Sequence, residues 1–158
     1  MGCDRFLLAG GRVKDTIRSN ELSEYYEGCY TTLGVHPCRS AEVAPASFAE
    51  ELWTHYEAMK SKIVAIGECG LDYDRFNYAD KDTQLAVFPP HFDLAERTGL
   101  PMYLHSRATE GEFNRLVREN RSRFSGGVVH SFTGDLEDLN EILAMDLYVG
   151  VNGCSLKT

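Results

Sequence analysis

Four residues carry the chemistry open to this sequence: His36, Glu68, His105 and His130. Each follows a short run rich in apolar or β-forming residues: Cys29 to Val35, Ile63 to Gly67, Gly99 to Leu104, and Gly126 to Val129. A run such as Ile63-Val-Ala-Ile-Gly67, with no alternation, reads as a strand buried on both faces of a parallel sheet. Glu68 then stands where that strand should end. A carboxylate there is costly unless it is paired, hydrogen-bonded or bound to a metal. It is also where α/β folds place their chemistry. Capping a helix or meeting an arginine is the structural alternative for Glu68 alone. A single histidine after a strand is usually structural too; three histidines and a glutamate at equivalent places in successive units reverse that balance. Imidazoles and a carboxylate converging on one rim form a shell for a divalent cation, with a position left for water. Such a cation acts as a Lewis acid and acidifies bound water.

Other polar residues have two readings each. Asp72 and Asp74 could support or contact a substrate, or could be turn formers in a polar loop from Leu71 to Lys81. Arg107, two residues past His105, could meet a phosphate or lie on the surface. Arg115, Arg118, Arg121 and Arg123 fit a solvated helix face better than a nucleic-acid patch. Cys69 reads as packing.

The elements that must position these groups alternate along the chain. Strands are expected at Arg5 to Ala9, Cys29 to Val35, Ile63 to Gly67, Gly99 to His105, Gly126 to His130 and Leu147 to Val151. Helices are expected between them. One runs from Val13 to Leu22. A second runs to Lys60, with Ser47 as its cap, Glu50 closing a capping box, and Phe48, Leu52, Trp53, Tyr56 and Met59 as its apolar stripe. A third starts at Asp82 or Thr83 and reaches Thr98, with Leu85, Phe88, Phe92 and Ala95 on one face and a break at Pro89-Pro90. The fourth carries Phe113, Leu116 and Val117, and the fifth Leu136, Leu139, Ile142 and Leu143. Six strands alternating with helices imply βαβ units and a parallel sheet in one domain over residues 1–158. Right-handed crossovers in a sheet that grows one way curl it toward a barrel; the pattern alone leaves a doubly wound sheet open.

Bulk properties narrow the partners. The 158 residues carry 43% hydrophobic and 25% charged side chains, ordinary globular values. The formal net charge of −8, from 24 acidic and 16 basic residues, argues against broad adhesion to nucleic acid or anionic membrane. Five cysteines at irregular spacing, with no CxxC pair, read as reduced thiols of a cytoplasmic or nuclear protein that is not secreted. Neither a signal peptide nor a membrane span is expected.

The motifs together resemble the TatD family of metal-dependent deoxyribonucleases, close to its eukaryotic members. The stretches are Leu33-Gly-Val-His36-Pro37, Val64-Ala-Ile-Gly-Glu68-Cys-Gly-Leu-Asp72-Tyr73, Asp82-Thr-Gln84, Leu100-Pro-Met-Tyr-Leu-His105-Ser-Arg107, Gly127-Val-Val-His130-Ser-Phe132 and Asn152-Gly-Cys-Ser-Leu-Lys157. They cover nearly the whole chain in the family's order. The resemblance implies an α/β TIM-barrel metallohydrolase that cleaves DNA phosphodiester bonds, as a 3'-5' exonuclease, with metal-activated water. It implies Glu68, His105 and His130 as metal ligands, with His36 facing the same site. Together with the residue readings above, His36 and Glu68 are expected as catalytic groups and Arg107 and Asp72 as substrate contacts. The cation implied is Mg²⁺ or Mn²⁺, with Zn²⁺ as the alternative.

The sequence also departs from that pattern. The family barrel has eight strands, and this sequence is expected to supply six β/α units, without the first strand's His-x-His motif or the eighth strand's aspartate. His91 stands where relatives carry glutamine, after an unusual Pro89-Pro90. Two open strand edges would then favour self-association. The competing expectations are a catalytically impaired form and a related hydrolase of another small ester or amide.

Overall fold

The computed structural model describes residues 2–153. Cys154 and the Ser155-Leu156-Lys157 end of the last motif lie outside the described residues, as does Met1. Six strands, β1 (Phe6–Leu8), β2 (Cys29–Leu33), β3 (Ile63–Asp72), β4 (Met102–Arg107), β5 (Gly127–Val129) and β6 (Tyr148–Val149), form one sheet in the order of the chain. Every neighbouring pair is parallel. A doubly wound sheet needs a point where strand order reverses. This sheet has none, so it is of the barrel type, with β1 and β6 as its edges among the described residues.

The helices are α1 (Val13–Tyr25), α2 (Phe48–Met59), α3 (Lys81–Val87), α4 (Pro90–Thr98), α5 (Glu112–Asn120) and α6 (Leu136–Ala144). The break at Pro89-Pro90 is present, with Pro90 opening α4, where a missing N–H costs nothing. Two expectations need correction. Ser47 precedes α2 but makes no side-chain cap, so the capping box does not form. The third helix is capped by Asp80, whose carboxylate accepts from the Thr83 N–H, and not by Asp82 or Thr83. The helix expected at Leu136, Leu139, Ile142 and Leu143 is present as α6, with Leu136 and Leu143 facing solvent and Ile142 fully buried.

Helices and sheet bury one apolar core. Leu33, Ile66, Leu104 and Val129 supply it from four adjacent strands. Phe88, between α3 and α4, stacks on Phe113 of α5, and Phe92 of α4 stacks on Phe124, beyond α5. Nearly every residue of β3 is buried, as a strand covered on both faces must be. No helix among the described residues is long and apolar enough to cross a membrane.

Candidate metal centre

Strand β3 runs four residues beyond Glu68, to Asp72. Glu68 therefore stands inside the strand and not at its end, which corrects the expected boundary. Opposite it the ladder slips: Gly67 pairs with Tyr103 and Cys69 with Leu104, leaving Glu68 as the extra residue of a bulge. Bulges re-aim a side chain while the strand continues. The Glu68 N–H finds the Gly10 carbonyl instead, at 2.9 Å. The slip depends on glycine. Gly67 and Gly70 have φ of +137° and +145°, and a Cβ at either would fall on the backbone oxygen of Tyr103 or His105.

Three imidazoles converge on Glu68 Oε1. His130 Nε2 lies at 2.7 Å, His36 Nε2 at 3.2 Å and His105 Nδ1 at 3.2 Å. They come from the end of β2, from β4 and from the end of β5, strand ends that a flat sheet would spread over about 14 Å. Curling of the sheet brings them together. Burial alone would raise the Glu68 carboxyl pKa, but the three imidazoles around it outweigh burial and hold the group well below the usual range. Glu68 is therefore a carboxylate.

The second nitrogen of each ring decides what the first can do. His36 Nδ1 accepts a hydrogen bond from the Cys38 N–H at 3.0 Å, so its proton sits on Nε2 and is donated toward Glu68. His105 Nε2 lies 3.1 Å from Asp72 Oδ2 and donates to it, which leaves the Nδ1 lone pair toward Glu68. That Nδ1 is buried and has no hydrogen-bond partner, although Glu68 Oε1 is near. His130 Nδ1 lies 3.0 Å from Ser131 Oγ, and its ring stacks on Tyr103 at 4.5 Å. An ionised carboxylate beside an orphaned imidazole lone pair fits a divalent cation. By distance alone the candidate triad is His36, Glu68 and His105, whose ligand atoms lie within 4.8 Å of one another.

Asp72 closes β3 and is 1% exposed; its side chain touches His105 and the Cys38 thiol, 3.8 Å away. Arg107 is exposed and donates to Asp74 at 2.7 Å. Both residues of that pair line a cavity of about 460 Å³, together with Ser106, Thr109, Phe132 and Asp138. Arg115 pairs with Glu119, Arg118 with Glu141 and Arg123 with Asp93, as a solvated face requires. Cys69 is fully buried in the core. Sequence reasoning misses Cys38, which orients His36, and gives no role to Gln84, which bonds Asp72. Gln84 is visible only as part of the Asp82-Thr-Gln84 motif.

A sequential parallel sheet with carboxylate and imidazole groups gathered where β3, β4 and β5 deliver them defines an α/β barrel-type protein with a candidate metal-binding centre. The chain belongs to the TatD-related DNase family, whose pattern it matches over residues 1–158. It is 37% identical to deoxyribonuclease Tat-D of Schizosaccharomyces pombe over 100% of this chain and 53% of that protein. It is 34% identical to the 3'-5' ssDNA/RNA exonuclease TatD of Klebsiella pneumoniae over 96% of this chain and 56% of that one. Among solved structures, a TatD family hydrolase from Entamoeba histolytica aligns with a TM-score of 0.90 at 33% identity, over 99% of this chain and 54% of that chain. A TatD homologue from Escherichia coli aligns at 0.85 and 28%, over 96% and 57%. The six strands match a half-barrel of these structures, and the chain spans about half the length of the relatives it matches.

Proposed function

We propose that the chain is a metal-dependent nuclease that hydrolyses phosphodiester bonds of single-stranded nucleic acid at the Glu68 centre. The observation that carries this reading is the convergence of three imidazoles on one Glu68 oxygen, in a chain of a DNase family. Glu68, His105 and His130 would hold the cation; Mg²⁺ or Mn²⁺ is what the family resemblance implies, and two imidazoles beside one carboxylate also suit Zn²⁺. A cation there would polarise a phosphoryl oxygen and acidify water.

The chain's own residues do the rest. Glu68 contributes the charge that offsets the cation. His105 presents Nδ1 because its other nitrogen is tied to Asp72. His130 Nε2, which donates to Glu68 at 2.7 Å, would present its lone pair once the proton sits on Nδ1, where Ser131 Oγ can accept it, and the ring is steadied by the Tyr103 face. His36 cannot offer Nε2 as a ligand while that atom carries the proton, so it donates a hydrogen bond to a phosphate oxygen. Arg107 exchanges Asp74 for a phosphate of the incoming strand; an exposed pair is worth only about 0.2–1 kcal/mol, so the exchange is cheap.

The test uses an end-labelled single-stranded oligonucleotide with Mn²⁺ or Mg²⁺. The purified chain should shorten it from the 3' end, chelator should stop this, and Glu68→Gln should lower the rate by about a hundredfold or more. Cleavage indifferent to chelator and to Glu68→Gln would refute the proposal. Turnover of a small chromogenic diester with the oligonucleotide untouched would move the substrate to a small phosphoester.

A further inference from the structure

Strand β3 outlasts its neighbour β2. The ladder between them ends at Leu33 with Ile66, six residues before Asp72. On the β4 side Asp72 still pairs with Arg107. On the other side its backbone meets the side chain of Gln84 from α3. The Asp72 N–H donates to Gln84 Oε1 at 2.8 Å, and Gln84 Nε2 donates to the Asp72 carbonyl at 2.9 Å. A second Nε2 hydrogen goes to the Ala79 carbonyl at 2.9 Å. A carboxamide carries the same donor and acceptor as a peptide unit, so Gln84 acts as one rung of an absent strand. It is wholly buried, with each of these hydrogen bonds made to backbone.

The rung holds Asp72 where it works. Its Oδ2 accepts from His105 Nε2 at 3.1 Å, with Cys38 Sγ at 3.8 Å and Arg75 Nε at 3.7 Å around the same oxygen. A neutral imidazole has one N–H, and the group that accepts it selects the tautomer. With Nε2–H taken by Asp72, the His105 lone pair is on Nδ1, the buried atom without a hydrogen-bond partner beside Glu68.

We propose that Gln84 and Asp72 are positioning residues of the metal centre: Gln84 fixes the backbone of Asp72, and Asp72 fixes His105 in the tautomer that turns Nδ1 to the cation. The proposal rests on the metal reading given above. Carboxylates that orient a ligating histidine are worth about 10–100-fold in metal affinity.

Two readouts test it. Long-range ¹H–¹⁵N correlation spectra of the metal-free chain, recorded above the titration of the ring, give the His105 tautomer. Calorimetric titration with Mn²⁺ gives the affinity. The unaltered chain should show His105 protonated on Nε2. Asp72→Ala should show both tautomers and a Kd raised about 10–100-fold. Asp72→Asn, which keeps an acceptor oxygen, should restore the tautomer and most of the affinity. Gln84→Leu, similar in volume, should loosen the tautomer and raise Kd at least threefold, and it serves also where Asp72→Ala does not fold. An Nε2–H tautomer unchanged in Asp72→Ala, or wild-type tautomer and Kd in Gln84→Leu, would overturn the proposal. If the unaltered chain binds no Mn²⁺, the metal reading fails, and the tautomer spectra still decide the roles of Asp72 and Gln84.

Discussion

His36 Nδ1 accepts a hydrogen bond from the backbone N–H of Cys38, two residues on, at 3.0 Å. That short-range bond fixes the tautomer of His36, because it spends the Nδ1 lone pair and leaves the proton on Nε2, the atom facing Glu68. His36 is close enough to Glu68 and His105 to complete a triad by distance, but in this tautomer its Nε2 offers no lone pair, so the proposed ligand set takes His130 instead. His36→Gln should therefore keep the Mn²⁺ Kd within about threefold while lowering kcat. His130→Gln should raise Kd by about 10–100-fold. Calorimetry paired with steady-state kinetics checks both, and the reverse ranking would exchange the two roles.

Gly70 is the second anchor of the site's geometry. Its φ is +145°, and a methyl group there would fall on the His105 carbonyl oxygen of the neighbouring strand. Gly70→Ala should destabilise the fold by about 2–4 kcal/mol, from backbone strain and the forced separation of β3 from β4. Because the strand that moves carries His105, Mn²⁺ affinity should fall as well. Thermal unfolding and calorimetry on the same sample read both effects; a variant as stable as the parent would contradict this packing.

His91 makes the stability depend on pH. It is fully buried; its Nδ1–H donates to the carbonyls of Val87 and Phe88, and its Nε2 accepts from the Val35 N–H at 3.0 Å. Burial disfavours the charged ring, against a smaller opposite effect of the two carbonyls, and lowers the pKa to about 4. The unfolded ring titrates near 6.5. The unfolded chain thus binds the proton more tightly. The contribution is complete above about pH 6.5, is lost as pH falls toward 4, and reaches about 3 kcal/mol. A glutamine at this place can accept from Val35 and donate to the helix without titrating. His91→Gln should leave the urea midpoint at pH 7 nearly unchanged and flatten its fall between pH 6.5 and 4. An equal acid loss in both chains would rule His91 out as the cause.

Much of this architecture is legible in the sequence itself. Alternating strands and helices follow from local apolar runs, and His36, His105 and His130 follow from the ends of those runs. Glu68 stands out as well, but its place within the strand does not, because the bulge that holds it arises where β3 meets the Tyr103 and His105 backbone, a contact no local pattern encodes. Asp72 reads as a loop residue for the same reason: the group that pairs with its backbone where β2 has ended is Gln84, twelve positions away in sequence and in another element. Ser47 has the right type for a cap and makes no side-chain cap hydrogen bond. Arg107 reads equally as a phosphate contact or a surface cation, and its pairing with Asp74 across 33 positions has no local signature.

That ion pair gives a prediction about substrate. Arg107→Ala should raise KM for a single-stranded oligonucleotide with little change in Mn²⁺ affinity. Asp74→Ala removes one competing acceptor and should lower KM, by up to about fivefold given the worth of an exposed pair. Steady-state kinetics across salt concentrations check this. If neither substitution moves KM, the phosphate is held elsewhere.

A cation held by Glu68, His105 and His130 is central to the proposed chemistry. A crystal soaked in Mn²⁺ and measured for anomalous scattering tests it most directly. One peak should lie about 2.1 Å from Glu68 Oε1, His105 Nδ1 and His130 Nε2, with His36 Nε2 at hydrogen-bonding rather than ligating distance. No peak at Glu68, or a peak ligated by His36 in place of His130, would contradict this assignment.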